Sequence, residues 1–300
     1  MNGNKGKKKL RITVLILSVV LVTVMFALDR AGVVDFDGDG VFSDFENSDI
    51  LTVSFLDVGQ GDCAFIQSGG ETMMIDTGEN SAFPVVEDFA DSNNIDCIDY
   101  IIATHFDSDH TGALKRIVES YEVKNLFVSN AYSSFNSSAF TDCVNTAKKN
   151  ATKVVTLSGE GSISFGNAVV NTFAPSYETE NENDLSIIAK VVFKDTSFLF
   201  TGDAEKAEEN LLIKNGFDLK SDVLKVAHHG SDTSSSQPFL KAVSPQFFVI
   251  SVGENNDYGH PNEKCLDRLY EFTDRIYRTD ICGTVTAVSD GAAITFSIKN

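Results

Sequence analysis

Six residues restrict this chain more than any others: His105-Phe106-Asp107-Ser108-Asp109-His110, with Thr104 before them and Thr111-Gly112 after. The preceding run, Ile98 to Ala103, is short, apolar and bounded by polar residues, so it reads as a buried strand. Four metal-competent side chains thus crowd the loop at a strand's C-terminal end, where the backbone is free to bend around an ion. Two imidazoles and two carboxylates supply nitrogen and oxygen ligands for one or two divalent cations. A helix beginning near Thr111 could use any one of them as a cap, but not all four.

From Leu51 onward, strand and helix patterns alternate. Val53 to Leu56, Ala64 to Gln67 and Thr72 to Ile75 read as three strands joined by Gly-rich turns. Helical stretches are expected around 82–92, 111–120, 137–149, 204–215, 237–242 and 261–272. Apolar strand runs are expected around 98–103, 124–128, 168–173, 185–193, 196–201, 222–227, 246–251 and 283–288. Continuous apolar strands imply sheets covered on both faces. Periodicity alone allows more than one α/β arrangement of them.

The first 50 residues differ in kind. Lys5, Lys7, Lys8, Lys9 and Arg11 precede an uncharged run from Ile12 to Leu28. As a helix, at ~1.5 Å per residue, that run reaches roughly 25 Å, near the lower limit for a bilayer span. Met25 stands where a cleavage site before the mature chain would want a small residue. Residues 1–30 therefore read as a basic cytoplasmic stub and single-pass anchor, leaving the rest of the chain outside the cell. A cleaved signal peptide with a secreted product is the alternative. Residues 31–50 are an acidic linker, before a folded domain over 51–300. Within the linker, Asp35, Asp37, Asp39, Ser43 and Glu46 occupy loop positions 1, 3, 5, 9 and 12, with Gly40 at position 6. The backbone carbonyl of Val41 would complete a calcium loop of the EF-hand pattern.

Charge bounds the partners. The chain carries -19 overall. Residues 1–30 hold six Lys or Arg and one acid, so the remaining 18 basic and 42 acidic residues leave 31–300 at -24. Such a surface opposes tight nonspecific nucleic-acid binding, which rests largely on Lys and Arg contacts. It still permits a nuclease whose metals do the binding. Cys63, Cys97, Cys143, Cys265 and Cys282 form no C-x-x-C pair, so a thiolate zinc site is not expected.

Further constellations fall at strand ends. Asp76 lies in Ile75-Asp76-Thr77-Gly78, and Asp203 in Thr201-Gly202-Asp203. Ala227-His228-His229-Gly230-Ser231 closes another apolar run. On extended backbone, adjacent side chains point oppositely, so one histidine of the pair faces an ion. His228 is favoured as that ligand and His229 as a substrate contact. The His-x-Asp-x-Asp-His cluster resembles the metallo-β-lactamase superfamily signature, with Asp107 in place of its second histidine. Asp57-Val58-Gly59-Gln60-Gly61-Asp62, Asn183-Asp184-Leu185-Ser186, Tyr258-Gly259-His260-Pro261 and Arg278-Thr279-Asp280 follow the same order as in one branch. Over residues 51–298 the chain resembles the C-terminal hydrolase domain of ComEC-type competence (DNA-uptake) proteins, without their many-helix channel.

That resemblance implies an α/β fold, a four-layer αββα sandwich, and a metal-dependent hydrolase. It implies a first site of His105, Asp107 and Asp203, and a second of Asp109, His228 and Asp203 that His110 could complete. No histidine lies between His110 and His228; Asn183, Asp184 or Ser186 occupies that region. So oxygen-rich a pair of sites suits manganese as well as zinc. Two cations sharing a hydroxide would attack a phosphodiester, with Asp109 and Asp203 central and His260 contacting the substrate or its leaving group. Asp57, Gln60, Asp62, Asp76, His229, Ser231 and Asp280 would support the site or the substrate. The leading expectation is an extracellular phosphodiesterase or nuclease. Alternatives are a cell-envelope phosphodiesterase, such as a teichoic-acid phosphorylcholine esterase, and a calcium-responsive binding module on an inactive scaffold.

Overall fold

The computed structural model describes residues 49–133, 137–176, 179 and 181–299. Its strands alternate their side chains between two apolar environments, as a sheet covered on both faces requires. Strands β1 (Leu51–Phe55), β2 (Cys63–Ser68), β3 (Glu71–Thr77), β4 (Cys97–Ile102), β5 (Glu122–Ser129) and β6 (Lys153–Leu157) come first. Then follow β7 (Gly159–Phe165), β8 (Ala168–Ala174), β9 (Ile188–Phe193), β10 (Thr196–Phe200), β11 (Val223–Lys225), β12 (Phe247–Ile250) and β13 (Ile276–Arg278). The chain closes with β14 (Thr284–Ser289) and β15 (Ile294–Lys299).

These strands make two sheets. One has the order β15-β14-β1-β2-β3-β4-β5-β6, the other β13-β12-β11-β10-β9-β8-β7. Each is antiparallel on one side and parallel on the other: β3 to β6 run parallel, as do β10 to β13.

Three hydrophobic clusters define the layers. Val53, Ile66, Met73, Val191, Phe198 and Val285 belong to a cluster drawn from both sheets. Phe200 joins it and stacks on Phe55 at 5.6 Å; truncating such a buried ring costs about 3–5 kcal/mol. Met74, Ile101 and Leu126, on the other face of the first sheet, pack with Val86, Leu114, Ile117 and Ala147 of helices 83–92, 114–120 and 138–149. Leu199, Leu224 and Phe248 likewise pack with Leu212, Phe239 and Leu269 of helices 206–215, 237–243 and 263–270. Helices, sheet, sheet and helices are therefore stacked as the αββα sandwich expected.

All five cysteines are free thiols. Cys63, Cys143 and Cys265 are buried as small apolar residues. Among the described residues no helix is long and apolar enough to cross a membrane. The anchor expected at residues 12–28 and the calcium loop at 35–46 (Asp35, Asp37, Asp39, Val41, Ser43, Glu46) lie outside the described residues.

Candidate metal centre

The parallel halves of both sheets carry the site, at the C-terminal ends of their strands. There β3 ends in Asp76-Thr77, β4 leads to Thr104–His110, β10 to Asp203, β11 to the histidine pair and β12 to Ser251. Close approach of these loops fixes two glycines. A Cβ on Gly61 would collide with the Asp109 carbonyl, and one on Gly202 would lie 2.7 Å from Thr104 Oγ1. Both glycines also have positive φ, where a side chain is strained.

Each buried imidazole is fixed from behind. Asp76 accepts hydrogen bonds from the Thr104 backbone N–H at 2.8 Å and its hydroxyl at 2.7 Å, clamping the start of the loop. The same carboxylate receives His110 Nδ1 at 2.8 Å. That fixes the ring's orientation and leaves His110 Nε2 pointing at Asp203 Oδ1, 3.1 Å away. His229 Nδ1 meets the Ser251 carbonyl at 2.9 Å, so its Nε2 faces Asp109 Oδ2 at 3.1 Å and Asp203 Oδ2 at 3.7 Å. His105 packs its ring 4.1 Å from that of His110, with Nδ1 beside Thr104 Oγ1 at 3.2 Å.

Four overlapping groups have ligand atoms close enough for one ion. They are His105–His110–Asp203, Asp109–His110–His229, Asp62–Asp76–His110 and Asp62–Asp203–His229. His105 Nε2, His110 Nε2 and Asp203 Oδ1 are buried without a hydrogen-bond partner; the close His110–Asp203 approach lacks hydrogen-bond alignment. Buried polar atoms are almost always paired. Convergent orphans of mixed nitrogen and oxygen character fit a divalent cation such as zinc or manganese.

Electrostatics agree with that reading. Burial, then the His110 cation, pushes His105 down to about 3. Burial opposes charge on His229, but Asp203 and Asp62 outweigh it and lift the imidazole to about 10. Burial also pushes Asp203 up, yet His110 and His229 hold it well below the usual carboxylate range. Below these groups Asp62 is held low against burial, first by Lys225. Lys225 Nζ lies 2.7 Å from Asp62, with both side chains buried. The protons gathered on His110 and His229 are those a bound dication would displace.

His228, expected as a ligand, belongs to none of the four groups; His229, expected to touch substrate, belongs to two. The backbone at the pair is not extended: both histidines lie in the left-handed region, at φ 50 and 51. That turn carries His229 inward and leaves His228 on the rim. His228 Nε2 is still 3.7 Å from Asp203 Oδ2. Asp107, also expected as a ligand, likewise belongs to none of the four groups and lies at the rim, 45% exposed, 3.8 Å from His105 Nε2. Ser186, from the segment lacking a histidine, reaches His105 Nδ1 at 3.5 Å and accepts from the Asp203 N–H.

Other expected supports work further out. Asp184 accepts from the Glu205 N–H, Asn183 N–H donates to Asn181, and Ser231 pairs with Thr233. Gln60 accepts from Gly253 N–H, exposed Asp57 caps Gly59 N–H, and Asp280 is bound by Arg278. His260 is half-buried, its ring 5.5 Å from His228. Lys225, Thr104 and Ser251 were not foreseen. A lysine inside the apolar run Val223 to Ala227 was the available signal, since buried lysine demands an acid.

The metallo-β-lactamase superfamily model matches residues 56–254, and the chain belongs to that superfamily. It is 30% identical over 244 residues to competence protein ComA of Neisseria gonorrhoeae, covering 80% of this chain and 32% of that protein. With ComE operon protein 3 of Bacillus subtilis the identity is 26% over 265 residues, 82% of this chain and 34% of that one. The chain thus spans about a third of the length of these curated relatives, and the resemblance to ComEC-type domains holds over that part. CmlA, a diiron β-hydroxylase from Streptomyces venezuelae, shares the fold at TM-score 0.54 and 16% identity, over 76% of this chain and 52% of its own. One scaffold therefore hosts different reactions, and the ligands must select among them. Superfamily membership with these ligands supports a metal-dependent hydrolase.

Proposed function

We propose that this protein is a metal-dependent phosphodiesterase acting outside the cell, with nucleic acid its foremost substrate. The observation carrying the reading is three buried ligand atoms without a hydrogen-bond partner, His105 Nε2, His110 Nε2 and Asp203 Oδ1, gathered between strand ends. His105, Asp107 and Asp203 would hold one zinc or manganese ion, and Asp109, His110, His229 and Asp203 a second. Such a pair supplies Lewis acidity and a water acidic enough to attack at neutral pH. Asp76 and Ser251 keep the ring nitrogens of His110 and His229 aimed inward. His228 and His260 stand at the open side, placed to donate hydrogen bonds to the non-bridging or leaving oxygen of a substrate. The basic cluster before residues 12–28 supports anchoring with the catalytic domain outside, and residues 35–46 the binding of calcium. The competence proteins it resembles support nucleic acid as substrate.

A second reading, hydrolysis of a cell-envelope phosphodiester, draws on the charge of -19. The test is turnover by purified protein, stripped with chelator and reloaded with zinc or manganese. The panel holds single- and double-stranded DNA, RNA, phosphorylcholine esters and a β-lactam. Metal-dependent cleavage of a nucleic acid supports the proposal, cleavage of phosphorylcholine esters alone transfers it to the second reading, and silence on every phosphodiester refutes both.

A further inference from the structure

The rim of the metal centre carries an aromatic ring that nothing in the hydrolytic machinery uses. Tyr258 is 70% exposed, the most open large apolar side chain among the described residues. One face of its ring stacks on His260, with centroids 5.9 Å apart and planes 17° from parallel. His260 in turn lies 5.5 Å from His228, whose Nε2 is 3.7 Å from Asp203 Oδ2. A short series of rings therefore leads from the metal floor to solvent.

The loop is exposed but held. A single side chain, Asn256, donates to the carbonyls of Gly253 at 3.0 Å and His260 at 2.6 Å. Its oxygen accepts from the N–H groups of Tyr258 at 3.1 Å and His260 at 3.0 Å. Just beyond, Asn262 N–H bonds the Gly230 carbonyl at 2.8 Å, tying the loop to the histidine turn. Exposing a large apolar ring forgoes burial worth about 1.5–3 kcal/mol, and fixing it as well removes conformational freedom. A ring presented this way is pre-organised to receive a flat partner.

Charge points to what that partner is. Cations near this rim are already engaged: Lys206 with the Asp232 carbonyl, Lys264 and Arg268 with its carboxylate. Among the described residues, these contacts leave little free positive charge beside the histidine turn to grip a phosphate backbone. Stacking on an aromatic face does not need it and tolerates any base. We propose that Tyr258, backed by His260, is a base-stacking platform that positions an unpaired nucleotide beside the scissile phosphodiester. This makes single-stranded nucleic acid the preferred substrate class, and it rests on the phosphodiesterase reading above.

The experiment compares two single-stranded oligonucleotides, one with normal bases and one with tetrahydrofuran abasic sites flanking the same phosphodiester. Wild type, Tyr258→Leu, Tyr258→Phe and Tyr270→Leu are assayed with metal content recorded. Tyr270 is a control, 60% exposed at the far end of helix 263–270. Wild type should show a lower KM for the base-bearing strand. Tyr258→Leu should raise that KM roughly 5- to 100-fold, the loss of one stacked base, while the abasic KM and the metal content stay put. Tyr258→Phe keeps the ring and should behave as wild type, as should Tyr270→Leu. If wild type cleaves both strands with the same KM, or Tyr258→Leu leaves their ratio unchanged, the platform is refuted while the phosphodiesterase reading stands. If wild type cleaves neither strand, the reading and the platform fall together.

Discussion

His228 and His229 are neighbours in sequence and opposites in setting. His229 is 2% exposed, its Nδ1 bound to a backbone carbonyl and its Nε2 turned onto Asp109 and Asp203. His228 is 23% exposed and touches Asp203, Glu205 and Thr233 at 3.3 Å or more. The same contrast separates the floor of the centre from its rim. His105, His110, Asp76 and Asp203 are buried, whereas His260 is half in solvent, as is Asp107, the one assigned ligand that reaches in from the rim. A ligand must be aimed before the ion arrives, and that aim comes from contacts behind the ring. A substrate contact must stay open, so the rim cannot be packed in that way.

The largest effect should follow from breaking the floor at its shared member. Asp203→Ala removes the carboxylate between His110 and His229, and with it the ligand assigned to both ions. Metal content should collapse and phosphodiester turnover fall by orders of magnitude. A normally active Asp203→Ala protein would erase the distinction between floor and rim.

His260→Ala probes the rim and should cost less, nearer the ~10²-fold low end for one catalytic contact, with metal content intact. Half-burial, then the neighbouring His228 and His229 rings, hold His260 below its ordinary 6.5. Dications in the site would push in the same direction, so the ring is neutral at pH 7 and acts as a hydrogen-bond donor. The loss should therefore be uniform from pH 7 to 8, above the ordinary imidazole value. A limb near neutrality that vanishes in the variant would make His260 a proton donor instead.

Beneath the floor, Lys225 balances Asp62, and its removal reads out in stability. Lys225→Met leaves a buried carboxylate without its cation, which costs about 3–5 kcal/mol. Adding Asp62→Asn should recover most of that in a denaturant titration. Equal stability of the single and double variants would mean that Asp62 is compensated from elsewhere.

The strands visible in sequence and those missed differ by position in the sheets. Every interior strand showed as an apolar run, because both of its faces are covered. The four that escaped notice, Lys153–Leu157, Gly159–Phe165, Ile276–Arg278 and Ile294–Lys299, are the four sheet edges. Edge strands keep polar, half-exposed residues; Ile294–Lys299 is intermediate or exposed throughout. The run read as 185–193 likewise begins as a 3-10 turn, with the strand starting at Ile188. At the site, the cluster His105 to His110 was legible because its residues are adjacent. The order of His228 and His229 was not, since it depends on left-handed dihedrals that extended-strand geometry does not anticipate. The Lys225–Asp62 pair spans 163 residues, and only the fold brings it together.

The central claim is that a metal centre is built on the floor, with His229 rather than His228 a ligand. Metal analysis of purified wild type, His228→Ala and His229→Ala, each loaded with zinc or manganese and then desalted, tests it directly. The account predicts about two ions per chain for a dinuclear site in wild type and in His228→Ala, with a clear loss in His229→Ala. Retention by His229→Ala with loss in His228→Ala, or a wild type holding no ion at all, would contradict it.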